Sequence, residues 1–241
     1  LVLTVDGVTK NFGGLRVLSE VTFSVEEGEV LGVIGPNGAG KTTLFNIISG
    51  FLKPTSGRVL FRGERIDGMK PNRIVRKGIG RTFQIVRPLS DLTVAQNIRA
   101  AAVFGRGKYS GNGVDDWVEE IAEMVGLSDF LHIPAGDLNL PGKKKLEFAR
   151  AVSVRPDLLL LDEVMAGLIP REVDEMLATI RKVKELHGLT VIVVEHNMHV
   201  IHSLCERLVV LNFGEKIFEG IPEEAARDRK VIEAYLGVGS E

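Results

Sequence analysis

The chain contains a single cysteine, Cys205, so no intramolecular disulfide can form and its fold is expected to rest on buried apolar surface. That cysteine usage suits a reducing compartment, with the cytoplasm as the default expectation. No apolar run approaches the roughly 18 residues a membrane-crossing helix needs, and no basic stretch leads into an apolar signal core. The chain is therefore expected not to span a bilayer itself. Charge of one sign is also scarce, since 30 Lys and Arg stand against 32 Asp and Glu, for a formal net charge of −2. That balance gives no electrostatic reason to expect nucleic acid as a partner. The densest basic run, Lys143-Lys144-Lys145, is expected to be a solvated helix face. Internal repeats and low-complexity tracts are missing too. What remains is 241 residues, 44% hydrophobic and 26% charged, which is ordinary for a soluble α/β protein with one large domain or a core carrying an inserted subdomain.

Short apolar segments separated by turn signals open the chain: Val2–Val5, Val21–Val25 and Val30–Ile34. Val59–Phe61 and Ile79–Phe83 read as further strands, divided by a polar stretch from Arg62 to Gly78. Leu158–Asp162 and Val191–Glu195 have the continuous apolar pattern of parallel strands buried on both faces. From about Thr93 to Val154 the period becomes helical, near Val94–Val103, Val114–Val125 and Lys143–Val154, with a glycine-bearing connector around Gly105 to Gly113. Helices are expected over Arg171–Leu186 and Met198–Leu204, and Pro222 opens a last amphipathic segment ending near Gly237. This divides the chain into a core (about 1–92 and 155–221), a helical subdomain (about 93–154) and a C-terminal helix (about 222–241).

Gly35-Pro36-Asn37-Gly38-Ala39-Gly40-Lys41-Thr42 matches the nucleoside-triphosphate phosphate loop at every constrained position. Its context is right as well, with the strand Val30–Ile34 before it and a helix over Thr43–Ile48 after it. Glycines let backbone N–H groups face phosphate oxygens, and the helix adds its positive end. Lys41 can neutralise the β/γ phosphates, Thr42 can offer its hydroxyl to Mg²⁺, and Thr43 can touch the α phosphate. A glycine turn in a nucleotide-free protein is the bland alternative, and the full match in this context opposes it. Leu158-Leu159-Leu160-Leu161-Asp162-Glu163 then reads as a Walker B strand. It places Asp162 at the carboxyl end of a central strand to hold Mg²⁺, and leaves Glu163 to orient and deprotonate water.

With both motifs in place, the chain resembles the ATP-binding cassette (ABC) ATPases across nearly its whole length. The resemblance implies a P-loop nucleotide-binding core of RecA-like type with an antiparallel β subdomain and an inserted helical subdomain. Phe12 resembles the aromatic that stacks on adenine, Gln84 the Q-loop glutamine that senses metal and water, and His196 the switch histidine that meets the γ phosphate. Phe12-Gly13-Gly14-Leu15, Ile79–Gln84 and Asp162–Leu168 with Pro170 are similar to the LivG-type subunit of branched-chain amino acid importers. That likeness implies integral membrane permeases and a second ABC ATPase subunit as partners, a solute-binding protein acting indirectly, and a place on the inner face of the plasma membrane. A soluble ABC ATPase of assembly or repair and a regulatory cassette with weak hydrolysis are the alternatives.

The chain departs from its family at the signature, normally Leu-Ser-Gly-Gly-Gln, which here becomes Leu138-Asn139-Leu140-Pro141-Gly142. Asn139 can still cap the helix, but Leu140 adds bulk and Pro141 has no N–H to donate. Val164 replaces the usual proline after Glu163, and Ile169 stands where the D-loop usually has aspartate. Head-to-tail pairing would put these defects on the partner's ATP, so the expected assembly is a heterodimer with unequal sites, with a homodimer as the alternative.

Overall fold

The computed structural model describes residues 1–107 and 113–236, a mixed α/β chain that divides into two compact units. The first comprises Leu1–Ile74 and Thr190–Glu241, the second Val75–Leu189.

In the first unit, β1 (Leu3–Phe12), β2 (Leu15–Val25), β4 (Ser56–Phe61) and β5 (Glu64–Arg65) form an antiparallel sheet in the order β2-β1-β4-β5. The second set of strands centres on β3 (Val30–Ile34), which pairs in parallel with β8 (Thr190–Val194) and with β9 (Arg207–Asn212). Every residue of β3 and β8 is buried, which explains their unbroken apolar runs. Gly32 belongs to this packing, since a Cβ there would lie 2.5 Å from Leu208 Cδ2 and 2.9 Å from Cys205 Sγ. β10 (Glu215–Gly220) adds antiparallel to β9. Helix α1 (Lys41–Ile48) follows β3, and α7 (Met198–Leu204) joins β8 to β9. The chain leaves this unit within α2 (Pro71–Lys77).

In the second unit, β6 (Ile79–Arg81) and β7 (Leu158–Asp162) pair in parallel. Helices α3 (Val94–Phe104), α4 (Gly113–Val125) and α5 (Leu140–Ser153) pack on one another. Thr93 and Gln96 close a capping box at the start of α3. Trp117 of α4 donates its indole N–H to the Ser153 carbonyl of α5 at 3.0 Å. Helix α6 (Pro170–His187) starts on a proline and stops at Gly188, whose φ of 60° provides the left-handed C-cap.

Several expectations need correction. The polar stretch from Arg62 to Gly78 contains β5 and α2; β5 is exposed and α2 buries only Ile74, so neither shows an apolar period. β9 and β10 have no counterpart in the sequence reading, and no residue of β10 is fully buried. Helix α5 begins at Leu140 instead of Lys143 because Asn139 caps it. The single C-terminal helix is two, α8 (Pro222–Ala225) and α9 (Arg229–Leu236), separated where Asp228 Oδ1 accepts from Val231 N at 3.1 Å. Lys144 does not lie on a solvated face, being only 3% exposed. Residues 108–112 of the glycine-bearing connector and 237–241 of the last segment lie outside the described residues. Among the described residues, no helix is long and apolar enough to cross a membrane.

Candidate functional site

In the first unit the phosphate-loop residues Gly35 to Thr43 link the end of β3 to α1. Gly35, Gly38 and Gly40 have φ of 147°, 80° and 102°, the half of backbone space that side chains disfavour. Space adds its own constraint, because a Cβ on Gly35 would sit 2.0 Å from the Leu211 carbonyl oxygen. Lys41 is buried, and its ammonium donates to the carbonyls of Gly35 at 2.7 Å and Pro36 at 2.9 Å, so the loop curls around its own lysine. The Gly214 N–H donates to Ala39 at 3.1 Å and ties the β9–β10 turn to the same loop. Asn37, Gly38 and Thr42 are exposed, while Pro36 and Thr43 are half-buried. Phe12 ends β1 with its ring 46% exposed and Lys10 Nζ 5.0 Å from its centroid. His196 is exposed just after β8.

The second unit brings Gln84, Asp162 and Glu163 together. Buried Asp162 ends β7, and its N–H donates to Thr82 Oγ1 at 3.0 Å. Its carboxylate accepts from Arg81 Nη2 at 2.9 Å, in an ion pair that is itself nearly inaccessible. Burial pulls the Arg81 guanidinium below its ordinary value, and its hydrogen bond and charge attraction to Asp162 act against that pull. Gln84 Nε2 donates to Glu163 Oε2 at 2.6 Å. Glu163 has φ of 50°, a left-handed backbone costing a non-glycine residue about 1–3 kcal/mol and concentrated at functional sites. Its carbonyl accepts from Lys144 Nζ at 3.1 Å. Three residues along α5, Glu147 Oε1 accepts from the Phe83 N–H at 2.6 Å. Burial pushes the Glu147 carboxyl up, against the Phe83 N–H, the charges of Arg150 and Lys144, and the Arg87 N–H.

At the degenerate signature, Asn139 Oδ1 accepts from Gly142 N at 2.9 Å and caps α5. Leu138, Asn139, Pro141, Gly142 and Ile169 line a groove of about 540 Å³. Leu140 and Ile169 are 43% and 59% exposed, so apolar side chains face outward at these two departures from the family pattern, whereas Val164 is buried.

The family described as "ABC transporter" matches residues 18–166, more than half of the sequence. The chain belongs to the ABC transporter family. The ABC cassette is also matched over residues 215–241 by the family described as "Branched-chain amino acid ATP-binding cassette transporter". It is 39% identical to the high-affinity branched-chain amino acid transport ATP-binding protein BraF of Pseudomonas aeruginosa, with 98% of each chain covered. Against the corresponding LivG protein of Escherichia coli the identity is 35%, with 98% of the cassette and 97% of LivG covered. Among solved structures, MJ1267, an ATP-binding cassette of an ABC transporter, aligns with a TM-score of 0.88 at 30% identity, covering 97% of this cassette and 98% of that chain. The ADP conformation of MJ1267 gives 0.85 at 31%, covering 98% of each. The cassette thus has the ABC ATPase fold and is an ATP-binding ATPase subunit of a transporter that works with membrane permeases.

Sequence reasoning missed Arg81, Lys144 and Glu147 as members of this cluster. A signal for two of them existed. Lys144, Glu147, Phe148 and Ala151 occupy the i, i+3, i+4, i+7 stripe that normally faces a core, and all four are buried.

Proposed function

We propose that this cassette energises uptake of small solutes, branched-chain amino acids foremost, across the plasma membrane, working from the inner face. The observation that carries this reading is the C-terminal match over residues 215–241, joined to near full-length likeness to BraF and LivG. Gly35 to Thr43 cradle the triphosphate through backbone N–H groups, Lys41 neutralises its β/γ oxygens, and Phe12 offers its ring to adenine. Glu163 is the general base for the attacking water, and Gln84, already hydrogen-bonded to that carboxylate, orients both. His196 holds the γ phosphate as charge develops. The donor chemistry in each unit suits Mg²⁺, since the Thr42 hydroxyl in the first, and the Asp162 carboxylate and Gln84 amide oxygen in the second, are hard ligands. When bound, the ion neutralises triphosphate charge. Permeases, a second cassette and a solute-binding protein complete the assembly, and binding and hydrolysis close and reopen the paired cassettes.

The test is ATP hydrolysis by the transporter purified with its native membrane partners and solute-binding protein. Leucine, isoleucine or valine is expected to raise the rate in vesicles. Stimulation by an unrelated small solute, with none by these three, would reassign the cargo.

A further inference from the structure

The two charged side chains buried on α5 serve no purpose in holding a partner's nucleotide, since they point into their own unit. Lys144, 3% exposed, donates to the carbonyl of Glu163; Glu147, 6% exposed, accepts the N–H of Phe83. Those two backbone groups belong to the residue that carries the base and to the residue just before Gln84. The side chains of Glu163 and Gln84 meet at 2.6 Å. Helix α5, β7 and the Phe83-Gln84 segment are therefore closed into a ring by three hydrogen bonds, and each bond fixes a group the reaction needs.

We propose that Lys144 and Glu147 are positioning residues for hydrolysis at this chain's own site, acting through Glu163 and Gln84 without touching ATP. The left-handed backbone of Glu163 supplies the reason for the lysine. A residue at φ of 50° relaxes unless its surroundings hold it, and a buried ammonium on its carbonyl fixes the peptide plane from which the carboxylate projects. The carboxylate of Glu147 has the matching task on the other side, holding the Phe83 amide so that the next residue presents its side chain to Glu163. Charged groups at core-stripe positions cost desolvation that leucine would avoid, so their presence where two backbone groups of the catalytic cluster end is explained by this work. The helix whose signature end has lost its glycines thus retains a task within its own chain.

This inference rests on reading Glu163 as the general base, and the experiment separates the two. ATP affinity and hydrolysis are measured in the transporter purified with its native membrane partners, for Lys144→Met, Lys144→Arg, Glu147→Asp and Glu147→Gln, alone and with Glu163→Gln. Glu147→Asp keeps the charge but shortens the reach to Phe83, so it tests position without emptying the core. Lys144→Met and Glu147→Asp are expected to lower kcat by about 10- to 100-fold, the cost of misplacing a catalytic group by an ångström, with KM for ATP changed less than about 2-fold. Lys144→Arg and Glu147→Gln, which keep the donor and the acceptor, are expected to recover most of the rate. In the Glu163→Gln background Lys144→Met should lower the residual rate no further. Hydrogen exchange of the full chain should show faster amide exchange at Phe83 in Glu147→Asp. A raised KM with unchanged kcat, additive losses with Glu163→Gln, or unchanged Phe83 exchange overturns the proposal while leaving the ATPase reading intact. Loss of ATP binding in the unsubstituted protein sinks the underlying reading instead.

Discussion

Cys205 shows how far a side chain can be moved from its ordinary chemistry by its surroundings. Its thiol lies against Gly32, and burial, with the charges of Glu195 and Glu206 adding to it, pushes its pKa from near 9.0 up to about 12. Between those values the folded chain keeps a proton that the unfolded chain has released. The contribution of this group to stability is therefore fully present below pH 9 and is lost as pH rises toward 12. Urea unfolding from pH 8 to 11 should show the parent losing stability more steeply than Cys205→Ala, and parallel losses would contradict the assignment. At Glu163 the surroundings act through the backbone, where a left-handed φ and a hydrogen-bonded carbonyl hold the residue from which the carboxylate projects.

Helix α5 combines a weakened start with a demanding interior. Leu140 and Pro141 occupy its first two positions, so one N–H is missing outright, and Asn139 satisfies another through Gly142. Replacing Asn139 with alanine is expected to cost about 1 kcal/mol of stability, and Asn139→Asp much less, because aspartate keeps the accepting oxygen. Denaturant unfolding of the full chain checks this, with an unchanged midpoint for Asn139→Ala as the contrary result. Element by element, the strands that carry chemistry were legible because β3 is an unbroken non-polar run ending directly at the phosphate loop and β7 is four leucines ending on Asp162. The phosphate-loop turn was legible because Gly35, Gly38 and Gly40 hold backbone geometry that residues with side chains rarely adopt. Lys144 was not legible from composition, since a lysine triplet reads as solvated and only the position of the Glu163 carbonyl makes the middle one a buried donor. β5, α2 and β10 were missed for a related reason: elements that bury little leave little period in the sequence.

For the whole molecule, two of the departures from the family pattern, Leu140 and Ile169, face outward while Val164 is buried, and the phosphate loop and the Gln84, Asp162 and Glu163 cluster keep the family's residues. We propose a heterodimer with unequal sites, the impaired one being where this signature would face the partner's ATP. Disabling the catalytic glutamate of each subunit in turn should leave clearly different ATPase rates, and equal rates would count against the asymmetry. Whether Lys41 and its turn grip Mg²⁺-ATP while Glu163 readies the water is decided by Glu163→Gln in the complete transporter at saturating Mg²⁺-ATP. ATP affinity should be retained while turnover falls by about 100-fold or more, as expected when a general base is removed. Turnover equal to that of the unsubstituted transporter would contradict it.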